Sequence, residues 1–254
     1  MDLELADKIG VVTGASNGIG RGIALSLARE GAHVVMVARR PEPLQAAAKQ
    51  VMDFGSAESH AADVSDVPTY EKLLRDILER HGRIDFIVNN AGAGAFAPID
   101  QLTHEQWQAS FRLNVDAPFA SMRLAFPHMR KAGGGAIVNI TSIMGARSQA
   151  MAAAYGAAKA ALQQLTNIAA VEGAPDNIRV NTIQVGSIET EGTATYRHDY
   201  PELADKVANT IPMRRWGKPE DIANAACFFL SPRAGFITGA CLPIDGGLGI
   251  VFPY

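Results

Sequence analysis

Hydrophobic positions along the chain alternate between short continuous runs and stretches with helical spacing. Residues 8–13 and 33–37 are apolar runs rich in β-branched side chains. A run without polar alternation is typical of a parallel strand that is covered on both faces. Between the two runs, Ile19, Ile23 and Leu27 recur every fourth residue and share one helical face. This part of the chain therefore predicts a strand, a helix and a second strand.

The same alternation continues to the end of the chain. Further strands are predicted at 58–62, 85–88, 136–140, 178–183 and 240–244. Further helices are predicted at 42–53, from Asp66, from a Thr103–Gln106 capping box through Val115, at 152–172 and from Pro219. Together these elements predict an α/β fold: a single-domain, Rossmann-type, doubly wound sheet of seven mainly parallel strands, with helices on both faces.

No linker, charge block or repeat divides the chain, so residues 1–254 are predicted to form one domain. Residues 186–212 interrupt the rhythm, because this stretch is polar and lies between a predicted strand and a predicted helix. A connection of this length in a compact domain is typical of a lid or binding loop. A disordered insertion is the alternative interpretation.

A glycine-rich segment, Thr13-Gly-Ala-Ser-Asn-Gly-Ile-Gly20, lies between the first predicted strand and the first predicted helix. Glycines let the backbone approach a pyrophosphate, and the N-terminus of the helix supplies N–H groups and the positive end of its dipole. The segment predicts a dinucleotide site. Its contacts are expected from Gly14, Ser16, Asn17, Gly18, Ile19 and Gly20.

The glycine spacing, Gly-x-x-x-Gly-x-Gly, resembles that of the short-chain dehydrogenase/reductase family, and the resemblance covers nearly the whole chain. The other matching segments are Asp63-Val64, Asn114, Asn89-Asn90-Ala91-Gly92, Ser142, the Tyr155-x-x-x-Lys159 pair, Pro219-Glu220-Asp221 and Asp245-Gly246-Gly247. The resemblance implies an oxidoreductase that interconverts a ketone or 3-oxoacyl group and a secondary alcohol by hydride transfer.

The resemblance also implies roles for individual residues. Tyr155 would be the general acid/base, Ser142 would orient the substrate oxygen, and Asn114 would position a water relay towards Lys159. Further cofactor contacts are implied for Asp63, Val64, Asn90, Ala91, Gly92, Tyr155, Lys159, Gly186, Ile188 and Thr190. The chain departs from the family at Val185, which stands where a proline is usual and makes that turn less rigid.

The Tyr155–Lys159 pair also has a physical interpretation, because residues four apart share a helix face. A phenol has a pKa near 10, and lowering it by roughly three units takes about 4 kcal/mol. One positive charge at about 4 Å supplies about that much at an effective dielectric of 20. The sequence therefore predicts that Lys159, together with the positive nicotinamide of the oxidised cofactor, lowers the pKa of Tyr155.

The end of the second predicted strand bears on the choice between NAD(H) and NADP(H). An acidic residue is usual there for NAD, whereas a nearby arginine accommodates the 2′-phosphate of NADP. Here the sequence reads Ala38-Arg39-Arg40, so NADP(H) is favoured and Arg39 is the predicted phosphate contact. The alternatives are that both arginines are solvated and that the enzyme uses NAD. Relatives that use NADP often carry a basic residue where Asn17 stands.

Composition removes several classes of function. The formal net charge is -3, which argues against nucleic-acid binding. The sequence contains no run of 18 apolar residues, so no membrane span is predicted, and the acidic N-terminus is unlike a secretory signal. The two cysteines, Cys227 and Cys241, favour a reducing, cytoplasmic setting. The six histidines show no paired helical spacing, so no metal site is predicted.

Assembly and substrate are only partly indicated. Residues 150–162 are almost all small, and the family resemblance implies a homotetramer, with a dimer as second choice. The substrate is expected to be a small molecule, in a mostly apolar pocket near Gly94, Phe96, Met144, Gln149 and Met151. A non-catalytic dinucleotide sensor and a different reaction on the same scaffold, such as epimerisation, are the competing hypotheses.

Overall fold

The computed structural model describes residues 2–251, so Met1 and residues 252–254 of the predicted domain lie outside the described part. The strands are β1 (Ile9–Thr13), β2 (His33–Ala38), β3 (Ser56–Ala61), β4 (Phe86–Asn89), β5 (Gly135–Ser142), β6 (Ile178–Val185) and β7 (Cys241–Ile244). The helices are α1 (Gly18–Arg29), α2 (Pro41–Met52), α3 (Val67–His81), α4 (His104–Phe111), α5 (Ala117–Ala132), α6 (Ala153–Gly173), α7 (Glu191–Asp199), α8 (Pro201–Thr210) and α9 (Pro219–Leu230).

The strands form one sheet in the order β3-β2-β1-β4-β5-β6-β7, and every neighbouring pair is parallel. From β1, the strands β2 and β3 are added in turn on one side of the sheet. The chain then returns to place β4 on the other side of β1, and β5, β6 and β7 follow outwards from it. The predicted doubly wound, Rossmann-type sheet is therefore confirmed. The reversal between β1 and β4 leaves a crevice at the carboxyl ends of these strands.

Both faces of the sheet are covered by helices, which explains the continuous apolar runs in the sequence. Val34 and Met36 of β2 contribute to a core that also contains residues of α1, α2 and α9. Val35 and Val37 point the other way, into a core shared with α3, α5 and α6. No helix within residues 2–251 combines the length and the apolar character needed to cross a membrane.

The helical stretch predicted from Thr103 through Val115 has a feature that the sequence did not reveal. The predicted Thr103–Gln106 capping box is present at the start of α4. One wider π-helical turn, Arg112–Asp116, then joins α4 to α5. Such turns are rare in proteins, and many of those that occur lie at functional sites.

The polar stretch 186–212 contains two helices instead of the predicted loop. Thr190 caps α7 through a reciprocal pair of contacts with Thr193, and Pro201 begins α8. Hydrophobic periodicity missed both helices, because α7 has no buried residue and α8 buries only Ala204. The capping threonine and the proline were the local signals that could have found them.

Candidate active site

The carboxyl ends of the central strands open into a cleft of about 370 Å³. Most of the predicted cofactor residues line it: Gly14, Ser16, Asn17, Gly18, Ile19, Gly20, Arg39, Asp63, Val64, Asn90, Ala91, Gly92, Tyr155, Lys159 and Thr190. Gly186 and Ile188 do not line this cleft. The Gly186 N–H donates to the Ile244 carbonyl at 3.1 Å, and Ile188 lines a smaller neighbouring cleft.

Two positions of the glycine loop have a backbone conformation that favours glycine. Gly14 and Gly18 have φ of +67° and +50°, a region that side chains disfavour. Asn90 Nδ2 donates to the Thr13 carbonyl at 2.9 Å, and the N–H groups of Asn90 and Ala91 both donate to Thr13 Oγ1 at 3.0 Å. The turn after β4 therefore fixes the end of β1, from which the glycine loop starts.

Glu191 is a contact of this loop that sequence reasoning missed. As the first residue of α7, it accepts a hydrogen bond from the Gly18 N–H at 2.8 Å and one from Arg21 at 2.5 Å. Burial raises the Glu191 pKa, but the backbone hydrogen bonds and Arg21 outweigh burial, and the pKa lies below its usual value. This carboxylate anchors α7 at the N-terminus of α1, where the N–H groups and the dipole attract anions.

An exposed arginine stands at the β2 end of the cleft. β2 ends at Ala38, which offers no side-chain acceptor for a ribose hydroxyl. Arg39 Nη1 is 3.9 Å from Asp63 Oδ2, and Asp63 Oδ1 accepts from the Ser65 hydroxyl at 2.7 Å. The predicted Arg39 and Asp63 therefore lie together at one end of the cleft.

The predicted catalytic side chains converge at the start of α6. Ser142 ends β5, and its hydroxyl, which accepts from the Met144 N–H at 3.2 Å, lies near the phenol of Tyr155. Lys159 Nζ lies 5.6 Å from the centroid of the Tyr155 ring and donates to the Ile140 carbonyl at 2.9 Å. These three groups come from β5 and α6, so packing of the helix on the sheet sets their spacing.

Burial dominates the electrostatics of the two ionisable groups. It raises the pKa of Tyr155, and the nearby Ser142 hydroxyl only partly opposes the rise. It lowers the pKa of Lys159 to about 8, because an ammonium group loses hydration in the interior. The predicted lowering of the Tyr155 pKa is therefore absent from the protein by itself.

Asn114 sits on the π-helical turn and is completely buried. Its Nδ2 donates to the carbonyls of Ala93 and Ser110 at 2.7 and 2.8 Å, whereas its Oδ1 has no partner among the described residues. A Cβ placed on Gly92 would lie 2.9 Å from both Asn114 Oδ1 and Lys159 Nζ. An unpaired carbonyl and an ammonium group therefore border one small space, which suits a bridging water.

A second cleft, of about 720 Å³, lies beside the start of α6 and is lined in part by Ile99, Met144 and Met151. The ring of Phe96 lies near that of Tyr155, with 5.7 Å between centroids. A side chain at the position of Gly94 would collide with Tyr155. Of the residues predicted for the substrate pocket, Gly94 and Phe96 lie against Tyr155, whereas Met144, Gln149 and Met151 line the second cleft.

Comparison with known proteins places this geometry in a family. The family profile described as enoyl-(acyl carrier protein) reductase matches residues 14–249. A 3-oxoacyl-[acyl-carrier-protein] reductase of Thermotoga maritima is 34% identical over 250 residues, with 98% of this chain and 100% of that protein covered. An acetoacetyl-CoA reductase of Allochromatium vinosum is 35% identical, with 95% and 98% covered.

Solved structures agree with the sequence comparisons. The L-sorbose reductase of Gluconobacter frateurii, in complex with NADPH and L-sorbose, superposes with a TM-score of 0.94 at 34% identity. The match covers 99% of this chain and 100% of that one. The chain therefore belongs to the short-chain dehydrogenase/reductase family, which includes NAD(P)-dependent oxidoreductases that interconvert ketones and secondary alcohols.

Proposed function

We propose that this chain reduces a ketone or a 3-oxoacyl group to a secondary alcohol with NADPH, and that Tyr155 supplies the proton. The observation that carries the proposal is the convergence of Ser142, Tyr155 and Lys159 beside the cleft that the glycine loop lines. Burying an ammonium group without a carboxylate partner is costly. A non-catalytic sensor would gain nothing from such a group beside a buried phenol, whereas an enzyme that transfers a proton would.

The site residues fit a dinucleotide. The N–H groups at the start of α1 other than that of Gly18, which Glu191 occupies, would hold the pyrophosphate. Asp63 and Val64 would contact the adenine, and Lys159 would bind the nicotinamide ribose. Lys159 makes one hydrogen bond among the described residues, which leaves two of its three donors for a ligand. When bound, the nicotinamide supplies the hydride in reduction and accepts it in oxidation.

The protein's own groups handle the proton. The Tyr155 hydroxyl donates its proton to the substrate oxygen, and Ser142 donates a second hydrogen bond to the same oxygen and orients it. The Lys159 ammonium stabilises the resulting phenolate. Asn114 Oδ1 accepts a hydrogen bond from a water molecule beside Lys159, through which a proton returns to Tyr155.

Arg39 supports the preference for NADPH. Its guanidinium is exposed at the cleft and its separation from Asp63 is 3.9 Å, so the side chain is able to turn towards a 2′-phosphate. No acidic side chain occupies the end of β2 to repel that phosphate. Paired N–H donors make arginine well suited to a phosphate group.

Steady-state kinetics tests the proposal. The parent, Arg39→Ala and the distant control Arg75→Ala would be assayed with NADPH and NADH against 3-oxoacyl thioesters, ketosteroids, keto-sugars and an enoyl thioester. We expect carbonyl turnover with NADPH favoured, and at least about a tenfold fall in that preference for Arg39→Ala only, since charge-assisted hydrogen bonds contribute about 1.5–3 kcal/mol.

Each alternative has its own outcome in this assay. A preference of the parent for NADH would support the NAD-dependent alternative. Reduction of the enoyl thioester alone would replace carbonyl reduction by reduction of a carbon–carbon double bond. Binding of NADPH without turnover of any compound would favour the sensor.

We further propose a homotetramer in a cytoplasmic setting. Exposed apolar side chains on α5 and α6, namely Phe119, Ile168 and Val171, offer surfaces for subunit contact, and Cys227 and Cys241 are free thiols. Light scattering after size exclusion is expected to give four times the chain mass of 27.0 kDa. A mass of one chain would exclude both the tetramer and the dimer.

A further inference from the structure

Two histidines and a glutamate meet at the β2–β3 edge of the sheet, far apart in sequence. His33 begins β2, Glu58 lies in β3, and His81 ends α3. Parallel pairing places His33 opposite Ser56 and Val35 opposite Glu58, so the two strand side chains point to the face that α3 covers. We propose that His33, Glu58 and His81 bind a divalent transition-metal ion, with Zn²⁺ the best fit.

The spacing of the ligand atoms suits such an ion. One nitrogen or oxygen from each residue can be chosen so that all three atoms lie within 4.8 Å of one another. His81 Nε2 is 3.1 Å from Glu58 Oε1. Bonds of about 2.0–2.1 Å in a tetrahedral zinc site separate two ligand atoms by roughly 3.3 Å, so this pair is already placed. A ligand atom of His33 lies within 4.8 Å of both.

His33 has a buried ring nitrogen without a partner. Its Nδ1 is 2.6 Å from Ser56 Oγ, whereas its Nε2 is buried and has no partner among the described residues. Its ring lies beside that of His81, with 5.0 Å between centroids. A buried ring nitrogen without a partner costs free energy, and a metal bond would satisfy it. The Ser56 contact would fix the ring orientation, as outer-shell partners of metal-bound histidines do.

The donor set of the cluster fits a cation that prefers nitrogen. Arg80 donates to Glu58 Oε2 at 3.0 Å and thereby orients the carboxylate. Two imidazoles and one carboxylate select Zn²⁺, Co²⁺ or Ni²⁺ over Mg²⁺ and Ca²⁺, which prefer oxygen ligands. A water molecule would complete a tetrahedron.

This site is separate from the reductase chemistry. His33 lies at the amino end of β2, whereas the glycine loop, Ser142 and the β2 arginines lie at the carboxyl ends of strands. The cluster joins β2, the edge strand β3 and the end of α3. The ion would therefore stabilise this edge of the sheet and take no part in hydride transfer.

Calorimetric titration of Zn²⁺ into the untagged full-length protein tests the inference. Cys241→Ser provides the background for all variants, because this exposed thiol is a competing ligand. We expect one equivalent bound per chain. His33→Ala and His81→Ala should each weaken binding by at least about 100-fold, since even outer-shell changes cost 10–100-fold. His128→Ala, an exposed histidine of α5, is the matched control and should bind as the background does.

Thermal unfolding gives a second readout. Zn²⁺ should raise the Tm of the background and of His128→Ala, and Mg²⁺ should not, because only an ion bound to the folded state stabilises it. Glu58→Gln keeps the shape of the side chain and should lose the Zn²⁺ effect, which covers the case in which an alanine variant fails to fold. Absence of a one-equivalent site, or binding unchanged in His33→Ala, His81→Ala and Glu58→Gln, would overturn the inference.

Discussion

Lys159 shows at the scale of one residue how function opposes stability. The sequence predicted its position beside Tyr155 from the four-residue spacing. It did not predict the complete burial of the ammonium group, which lowers the Lys159 pKa to about 8, because burial depends on how α6 packs on β5 and on the turn at Gly92. Such a costly burial fits the role proposed for the charge and the donors of Lys159.

Lys159→Met is therefore expected to stabilise the protein while abolishing activity. Between about pH 8 and the ordinary lysine value of 10.5, the unfolded chain binds more protons than the folded chain, so the parent gains stability as the pH rises. At pH 7 the variant should unfold with a free energy about 1–3 kcal/mol higher than the parent. Urea unfolding at pH 7 and pH 10 measures this difference.

The advantage of Lys159→Met should be much smaller at pH 10, because the folded lysine is then neutral and its deprotonation costs little so close to the ordinary value of 10.5. Lys72→Met, at an exposed position on α3, controls for the change in side-chain type and should show no such pH-dependent gain. A Lys159→Met variant that is less stable than the parent at pH 7 would contradict the unfavourable burial of this charge.

At the scale of elements, α7 is held by polar contacts in place of a hydrophobic face. Glu191 binds the N-terminus of α1 and Arg21, Arg197 pairs with Glu189 at 2.7 Å, and Tyr196 lies near Trp216. The sequence predicted a lid here from length and polarity, but not helices, since periodicity detects only helices with an apolar stripe. An element held in this way should open more readily than the core.

Glu191→Gln should loosen α7 and leave the core unaffected. The amide can still accept a hydrogen bond, but it loses the charge that favours the α1 N-terminus, an effect of about 0.3–1 kcal/mol. Hydrogen exchange followed by mass spectrometry should show α7 amides exchanging about 2–5-fold faster, with α9 unchanged. Glu202→Gln on α8 is the control, and equal effects of the two changes would exclude Glu191 as the anchor.

At the scale of the whole molecule, periodicity and turn chemistry were sufficient to predict the sheet, its parallel strands and the position of the cofactor loop. Features that depend on register or on packing between distant segments were not predictable. The π-helical turn that carries Asn114 is one such feature. The meeting of His33, Glu58 and His81 is another, because helical spacing alone had argued against a metal site. Both result from the assembled fold and have no local pattern.

Carbonyl reduction by this protein, as we propose it, depends on Tyr155 as the proton donor. The most direct test is kcat of Tyr155→Phe with the best carbonyl substrate and NADPH, beside Tyr70→Phe, which removes a buried hydroxyl from α3. We expect kcat of Tyr155→Phe to fall 10²–10⁴-fold, while its affinity for NADPH stays near that of the parent. The kcat of Tyr70→Phe should also stay near that of the parent. A Tyr155→Phe enzyme that keeps more than about a tenth of the parent kcat would contradict this proposal.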